Sequence, residues 1–491
     1  MRQRFVWCLL FMSCWLNGQG TFVLTDNTIK AYQACSRFQL LQAEQLIAQE
    51  KKTNPANGFI YLIANYSDFL KIFIEDDPIE YRKALARRLQ RIRNLELFDK
   101  SSPFYRYCLA EIYLQWSFLR FQQGEFLKAA NDLQKANSLL TDNAQLHPDF
   151  ILNKKGLAIV HILAGSIPDN LQWIANIAGI HGNASQGESE LNQLLAYCRK
   201  SPNIQFLLPE ILFFKQVLLI NIFDRSLLQP ISLSVDSAYK NEPIIQYIDI
   251  LLAQKSQHAS EVIKRIEKFP SQNDGISFCF MHYLKAEALM NLNRPDQNGF
   301  QYFLNCSRGK HFKHAALRRI AWQCLLKGNI LEYQNNMQLI NDLGAAKSEE
   351  DKQALIEAEC KQIPDTNLLR ARLLFDGGAF NQSLNRLLTL SVKNKNLAFI
   401  SERAYRIGRS YQKLNKKDEA ISWLNMAINS GGNLHEYFAA SSAYQLGKIY
   451  VELNKKHEAL ALFKRVSKFP SHPYKNSLDA KAKTAISKLN P

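Results

Sequence analysis

Cys279, His282, Cys306, His311 and His314 are of the residue types that hold zinc. Cys279 and His282 stand at the interval that puts two side chains on one helix face, and Cys306, His311 and His314 follow as CxxxxHxxH. Two features oppose a metal. The first pair belongs to one helical unit while His311 and His314 open the next, and Lys310 and Lys313 bring positive charge beside the histidines. The expected state is two buried thiols and surface histidines. A glycine-rich loop at Gly179, Gly182 and Gly187 lacks the GK[ST] ending of a phosphate-binding loop and follows a helix, so it reads as an interhelix connection. There is no GxSxG or HExxH string. Catalytic residues, a metal and a cofactor are not expected, and the chain does not read as an enzyme.

The 491 residues are 47% hydrophobic and 21% charged, which excludes disorder, collagen and a disulfide miniprotein. Only 20 Gly and 15 Pro interrupt them, so long helical stretches are sustained. Lys and Arg number 61 against 44 Asp and Glu, a net charge of +17, and the stretch 401–491 alone holds 16 against 7. Arg82, Lys83, Arg87, Arg88, Arg91 and Arg93 form a second basic cluster; helical spacing spreads them over more than one face, and they read as a solvated surface.

Arg2 and Arg4 precede an apolar run from Phe5 to Leu16, followed by Asn17, Gly18, Gln19 and Gly20, the layout of a signal peptide cut before Thr21. The run is too short for a membrane anchor. Cys14 is a poor acylation site because Trp15 follows it, so a lipid anchor is not expected. The address is therefore export, with the periplasm as destination and nucleic acid out of reach. The apolar stretch Phe206 to Phe223 is broken by Pro209, Glu210 and Lys215 and reads as a buried helix. Cys35, Cys108, Cys198, Cys279, Cys306, Cys324 and Cys360 remain, widely spaced in apolar surroundings, and no disulfide framework is expected of them.

What must position any site is a repeat. Ala404, Ile407, Gly408, Tyr411, Ala420, Leu424 and Ala427 share their spacing with Ala443, Leu446, Gly447, Tyr450, Ala459, Phe463 and Val466. Small residues stand where two helices cross and large ones fill the gaps, a pattern that resembles the tetratricopeptide repeat. VIKRIEKFPS at Val262–Ser271 matches LFKRVSKFPS at Leu462–Ser471, so further units open near 240, 279, 314 and 364 before those near 401 and 440. Trp116, Gly124, Phe126, Ala129, Leu133 and Ala136 mark one more. The fold class is all-α, a right-handed superhelical array of antiparallel helix pairs. Its expected divisions are a signal peptide over 1–20, an N-terminal helical region over 21–200 with one repeat-like unit near 110–143, a helical connector over 201–239, and an array over 240–491. A helical insertion is expected near 346–363, where Ser348-Glu349-Glu350 reads as a helix start.

The stretch from Pro168 to Leu195, an apolar helix, a glycine-rich loop and an amphipathic helix, resembles the linker of the eukaryotic tetratricopeptide-39 and inclusion-clearance proteins. By the tetratricopeptide resemblance, the first helix of each pair lines a concave groove. That pattern places Arg372, Arg409 and Lys448 in the groove, with Tyr405 and Tyr444 beside them, Gln412 as a polar group and Trp322 from an earlier unit. Cations flanked by aromatics suit an extended acidic peptide or a C-terminal carboxylate. The function expected is an exported adaptor for a protein or peptide partner, with peripheral membrane association as a further contact. The alternative is an envelope binder of glycans or small molecules on the same kind of scaffold, although the long aromatic-bearing loop insertions such proteins carry are lacking.

Overall fold

A computed structural model describes residues 20–166, 179, 184–222, 239–270, 274–296, 298–346, 348–393 and 395–489. The expected signal peptide, and most of the stretch likened to the linker, lie outside the described residues. Among them the structure is all-α, apart from one isolated bridge between Thr21 and Asn57. The first part of the chain forms α1 (Asp26–Ser36), α2 (Leu40–Thr53), α3 (Phe59–Glu75), α4 (Pro78–Leu95), α5 (Pro103–Gln122), α6 (Phe126–Leu146), α7 (Asn153–Ser166), α8 (Ala184–Lys200) and α9 (Leu208–Ile222). Helix pairs follow: α10 (Pro243–Lys255) with α11 (Ala259–Lys268), α12 (Cys279–Asn291) with α13 (Gly299–Cys306), and α14 (Lys313–Leu326) with α15 (Ile330–Asp342). After a single helix, α16 (Glu349–Cys360), come α17 (Thr366–Asp376) with α18 (Phe380–Leu388), α19 (Leu397–Lys413) with α20 (Lys417–Gly431), and α21 (Phe438–Glu452) with α22 (Lys456–Val466). The last helix is α23 (Lys475–Leu489).

Local chemistry sets the helix starts. Asp77 accepts hydrogen bonds from the backbone of Ile79 and Glu80, and Pro78 fills the first turn, where no donor is needed. Ser348 and Asp351 cap α16 reciprocally. Within the pairs, close crossing depends on small residues. A Cβ on Gly408 would sit 2.8 Å from Leu424 Cγ, so only glycine lets α19 and α20 approach this far.

One hydrophobic core runs from Ala31 in α1 to Leu373 in α17, and two smaller ones serve the last units. The N-terminal helices are therefore packed into the array. Phe38 stands edge-on to Tyr247 and Phe278, and Arg37 pairs with Glu242 at 3.1 Å. The end of α3 forms a polar joint with the same region. Glu75 accepts from the Ser277 backbone at 2.7 Å, Asp76 contacts His311 Nδ1 at 2.6 Å, and Asp77 pairs with Arg308 at 3.0 Å.

The basic cluster on α4 is only in part the solvated face expected from its spacing: Arg82, Lys83 and Arg93 are exposed, whereas Arg87, Arg88 and Arg91 are engaged by acids. Arg88 is buried against Asp132, with its guanidinium 5.2 Å from the Trp116 ring centre, and Arg87 and Arg91 both pair with Asp68. These acids lie on other helices, which is why the spacing within α4 could not reveal them. A second internal charge cluster joins α5, α7 and α9. Lys155 lies 2.9 Å from both Glu111 and Glu210, and Tyr32 donates to Glu210. Among the described residues, no helix is long and apolar enough to cross a membrane.

The cysteines need correction. Cys279 and Cys306 are not separate buried thiols but form a disulfide, because the antiparallel turn of α12 and α13 returns the end of one helix to the start of the other, with Cα atoms 5.7 Å apart. Cys35, Cys108 and Cys198 are buried, whereas Cys360 is exposed.

Candidate functional site

The five residues with zinc-type chemistry are drawn into separate structural roles. Cys279 and Cys306 are bonded to each other, His282 lies against Tyr302, and His311 is engaged by Asp76. His314 is buried, not a surface group, and bonds the Gly344 carbonyl at 2.9 Å. Among the described residues no set of three such side chains could hold a metal ion. The Glu111–Lys155–Glu210 cluster is sealed from solvent, and the adjoining cavity of about 20 Å³, lined by Tyr32, Tyr107 and Phe206 among others, has room for about one water. Both are structural in character.

The remaining charged and aromatic chemistry, buried or half-buried, lies on the first helices of successive pairs. Trp322 on α14 is fully buried beneath three guanidinium groups: Arg318 at 4.8 Å, Arg319 at 4.9 Å and Arg372 at 4.7 Å from its ring. Its indole N–H donates to Glu357 Oε1 at 2.6 Å. Stacking of this kind favours arginine, whose planar cation lies on the ring while its N–H groups stay free to bond in plane. Arg409 on α19 continues the series, 5.7 Å from the Phe375 ring on α17, and it donates to Gln412 at 3.0 Å. Tyr405 packs edge-on to Tyr437, with ring centres 6.0 Å apart, and against Phe438 at the start of α21. Tyr444 turns toward Phe463 of its own pair, and Lys448 is half-buried one turn further along.

Of the residues placed in the groove by sequence, Trp322 is not a groove-facing ring but is fully buried under Arg318, Arg319 and Arg372, while Arg409 and Gln412 are in direct contact. Others were missed. Arg318 and Arg319 stand four and three residues before Trp322, so helix geometry alone puts all three on one face, a signal the repeat template hides. Arg406 bonds Glu402 at 2.7 Å and lies near Phe438, and Tyr474 meets Tyr437 edge-on at 4.9 Å. Burial works against each charge. It pulls Arg318 below its usual value despite Glu357, whereas Glu287, Tyr283 and Asp376 together outweigh it at Arg319, and Tyr437, Asp376 and Glu357 together outweigh it at Arg372.

Stacked helix pairs with small residues at their crossings define an α-solenoid. Residues 402–430 and 441–472 each match a tetratricopeptide repeat model, so these two units are repeats of the tetratricopeptide superfamily. Such repeats are protein-interaction modules, generally without catalysis, and make the C-terminal array an interaction scaffold. Similar solved structures include the APC/C hetero-tetramer Cut9-Hcn1 (13% identical, covering 94% of this chain and 95% of that one, TM-score 0.25). Naa15/Naa10 bound to HypK-THB is 12% identical, covering 94% and 64%, with a TM-score of 0.20, and yeast Tom70 is 13% identical, covering 94% and 96%, with a TM-score of 0.24. Overlaps this loose carry no argument about curvature or ligands. No curated protein matches the chain.

Proposed function

We propose that the chain is an exported, non-enzymatic adaptor that holds a protein or peptide partner in a concave groove lined by Arg372, Tyr405, Arg409, Gln412, Tyr444 and Lys448, with Trp322 buried beneath Arg372 as its support. The observation that carries this reading is the succession of cations on rings along the inner helices, Arg372 over Trp322 and Arg409 over Phe375. Stacked guanidinium groups keep their in-plane donors for carboxylates, and rigid aromatic rings supply contact area at low entropic cost, so an extended acidic segment is the partner chemistry that fits. Export to an oxidising compartment such as the periplasm is supported by the Cys279–Cys306 disulfide together with the apolar run after Arg2 and Arg4.

The test is a quantitative pull-down from envelope extract with the full chain. Arg409→Glu should lose the captured partner while keeping its helical signal, and Glu419→Lys, on the exposed side of α20, should retain it. Capture should weaken with added salt, since exposed charges are screened beyond about 8 Å at physiological ionic strength. Equal capture by Arg409→Glu would move the partner surface elsewhere on the molecule.

A further inference from the structure

Arg318 and Arg319 are 3% and 7% exposed, and the Nε and Nη1 groups of both find no hydrogen-bond acceptor in the protein. Buried N–H groups are nearly always paired, and those that carry a full charge are the costliest to leave unmade. The neighbouring acids do not meet them. Glu287 engages Arg319 through Nη2. Glu357 accepts its hydrogen bond from Trp322 and stands 3.7 Å from Arg318 and 4.0 Å from Arg372, beyond hydrogen-bond length. Asp376 stands 3.8 Å from Arg372. Arg318 and Arg372 are therefore oriented chiefly by packing against one indole, whereas Arg319, on the same ring, is also held by its hydrogen bond to Glu287.

We infer that Arg318, Arg319 and Arg372, stacked on Trp322, form a buried seat for an oxyanion, a carboxylate or a phosphate. A cation cluster held rigid by packing loses little entropy when it closes on such a group, and the guanidinium fork matches the spacing of its oxygens. The groove reading is needed only to say that a partner carries the oxyanion; the seat itself takes up the free ion.

The experiment is calorimetric titration of the full chain with inorganic phosphate and, separately, with acetate at constant ionic strength. Saturable uptake at one site is expected for at least one of them: phosphate alone assigns the seat to phosphate, and uptake of acetate assigns it to carboxylates. Replacing both arginines, Arg318→Lys with Arg319→Lys, keeps the charge but removes the forks and should weaken binding by roughly ten-fold or more. Glu357→Gln removes the competing acid while leaving an acceptor for the Trp322 indole, and it should tighten binding. That gain decides the matter even if the lysine variant fails to fold. Absence of saturable uptake, binding unchanged in the lysine variant, or no tightening in Glu357→Gln overturns the inference. A chain that captures its partner through Arg409 yet takes up neither ion would sink the seat and leave the groove standing; uptake of the ion with partner capture indifferent to Arg409 would do the reverse.

Discussion

The ammonium of Lys155 lies 2.9 Å from the carboxylate of Glu210 in a site from which solvent is excluded. Glu111 stands equally close on the other side, so one cation holds two acids from two helices. At Lys155 burial opposes the charge, but Glu111 and Glu210 outweigh it and hold the ammonium well above its usual range. Removing the cation should cost far more than a surface pair would. Lys155→Met keeps the bulk but leaves two buried carboxylates unpaired, and about 3–5 kcal/mol of stability should be lost in urea unfolding at neutral pH. Because the folded pKa is raised, the lysine's contribution is fully present below its unfolded value and disappears only as pH rises through the folded one. Burial raises the Glu111 carboxyl, so acid should restore part of the variant's loss by protonating it. A variant as stable as the parent at neutral pH would show that the cluster is not a keystone.

A milder acid response should come from His472. Its Nδ1 accepts a hydrogen bond from the Tyr474 backbone at 3.3 Å, a bond that requires that nitrogen to be unprotonated. Burial, and then the charge of Lys475, lower its pKa from the ordinary value near 6.5. The sign follows: the unfolded chain binds the proton more readily, so this contribution is whole above the unfolded pKa and fades as pH falls through the folded one. His282 behaves alike, lowered by burial and by Lys285. Melting temperature should therefore decline on acidification from neutral pH, and His472→Asn, which offers an acceptor that does not titrate, should flatten the decline. An identical pH profile for that variant would remove His472 from the account.

The all-α class and the tetratricopeptide character could be read from the sequence because they rest on local spacing. Ala404, Gly408 and Leu424 recur with Ala443, Gly447 and Phe463, and a helix crossing needs small residues at those intervals whatever else surrounds it. Charge pairing was not legible, since Arg88 meets Asp132 and Lys155 meets Glu210 across distances in sequence that no periodicity spans. Glu210 looked like a break in an apolar run, yet it is the buried partner of a lysine. Arg318 and Arg319 were hidden differently. Their relation to Trp322 is local, but a template built on apolar and small positions gives arginines no weight.

The helix crossing itself offers a stability test. At Gly408 a Cβ would stand 2.8 Å from Leu424 Cγ and 3.1 Å from the Leu424 backbone nitrogen, and backbone cannot step aside as a flexible side chain can. Gly408→Leu should therefore force α19 from α20 and cost about 1–3 kcal/mol by overpacking, lowering the midpoint of thermal unfolding. Glycine is a poor helix former, so an added side chain at an open position would have raised stability instead. A melting curve unchanged or shifted upward would mean that the two helices do not cross at this residue.

The disulfide gives the final test, which bears on both stability and address. Cys279 and Cys306 join the start of α12 to the end of α13, and Ser277, whose hydroxyl lies 3.2 Å from one sulfur, is also the residue whose backbone donates to Glu75. Losing the bridge should thus loosen the joint between the N-terminal helices and the array as well as the pair it closes. Reduction, or Cys279→Ala with Cys306→Ala, should lower stability by about 2–4 kcal/mol. Hydrogen exchange should rise first in the loop 307–311, which docks on Asp76 and Asp77. Thiol titration of the unfolded protein, purified under oxidising conditions, should find two fewer reactive groups before reduction than after. Equal thiol counts would mean that the bridge does not form, and with it would go the structural support for an oxidising destination.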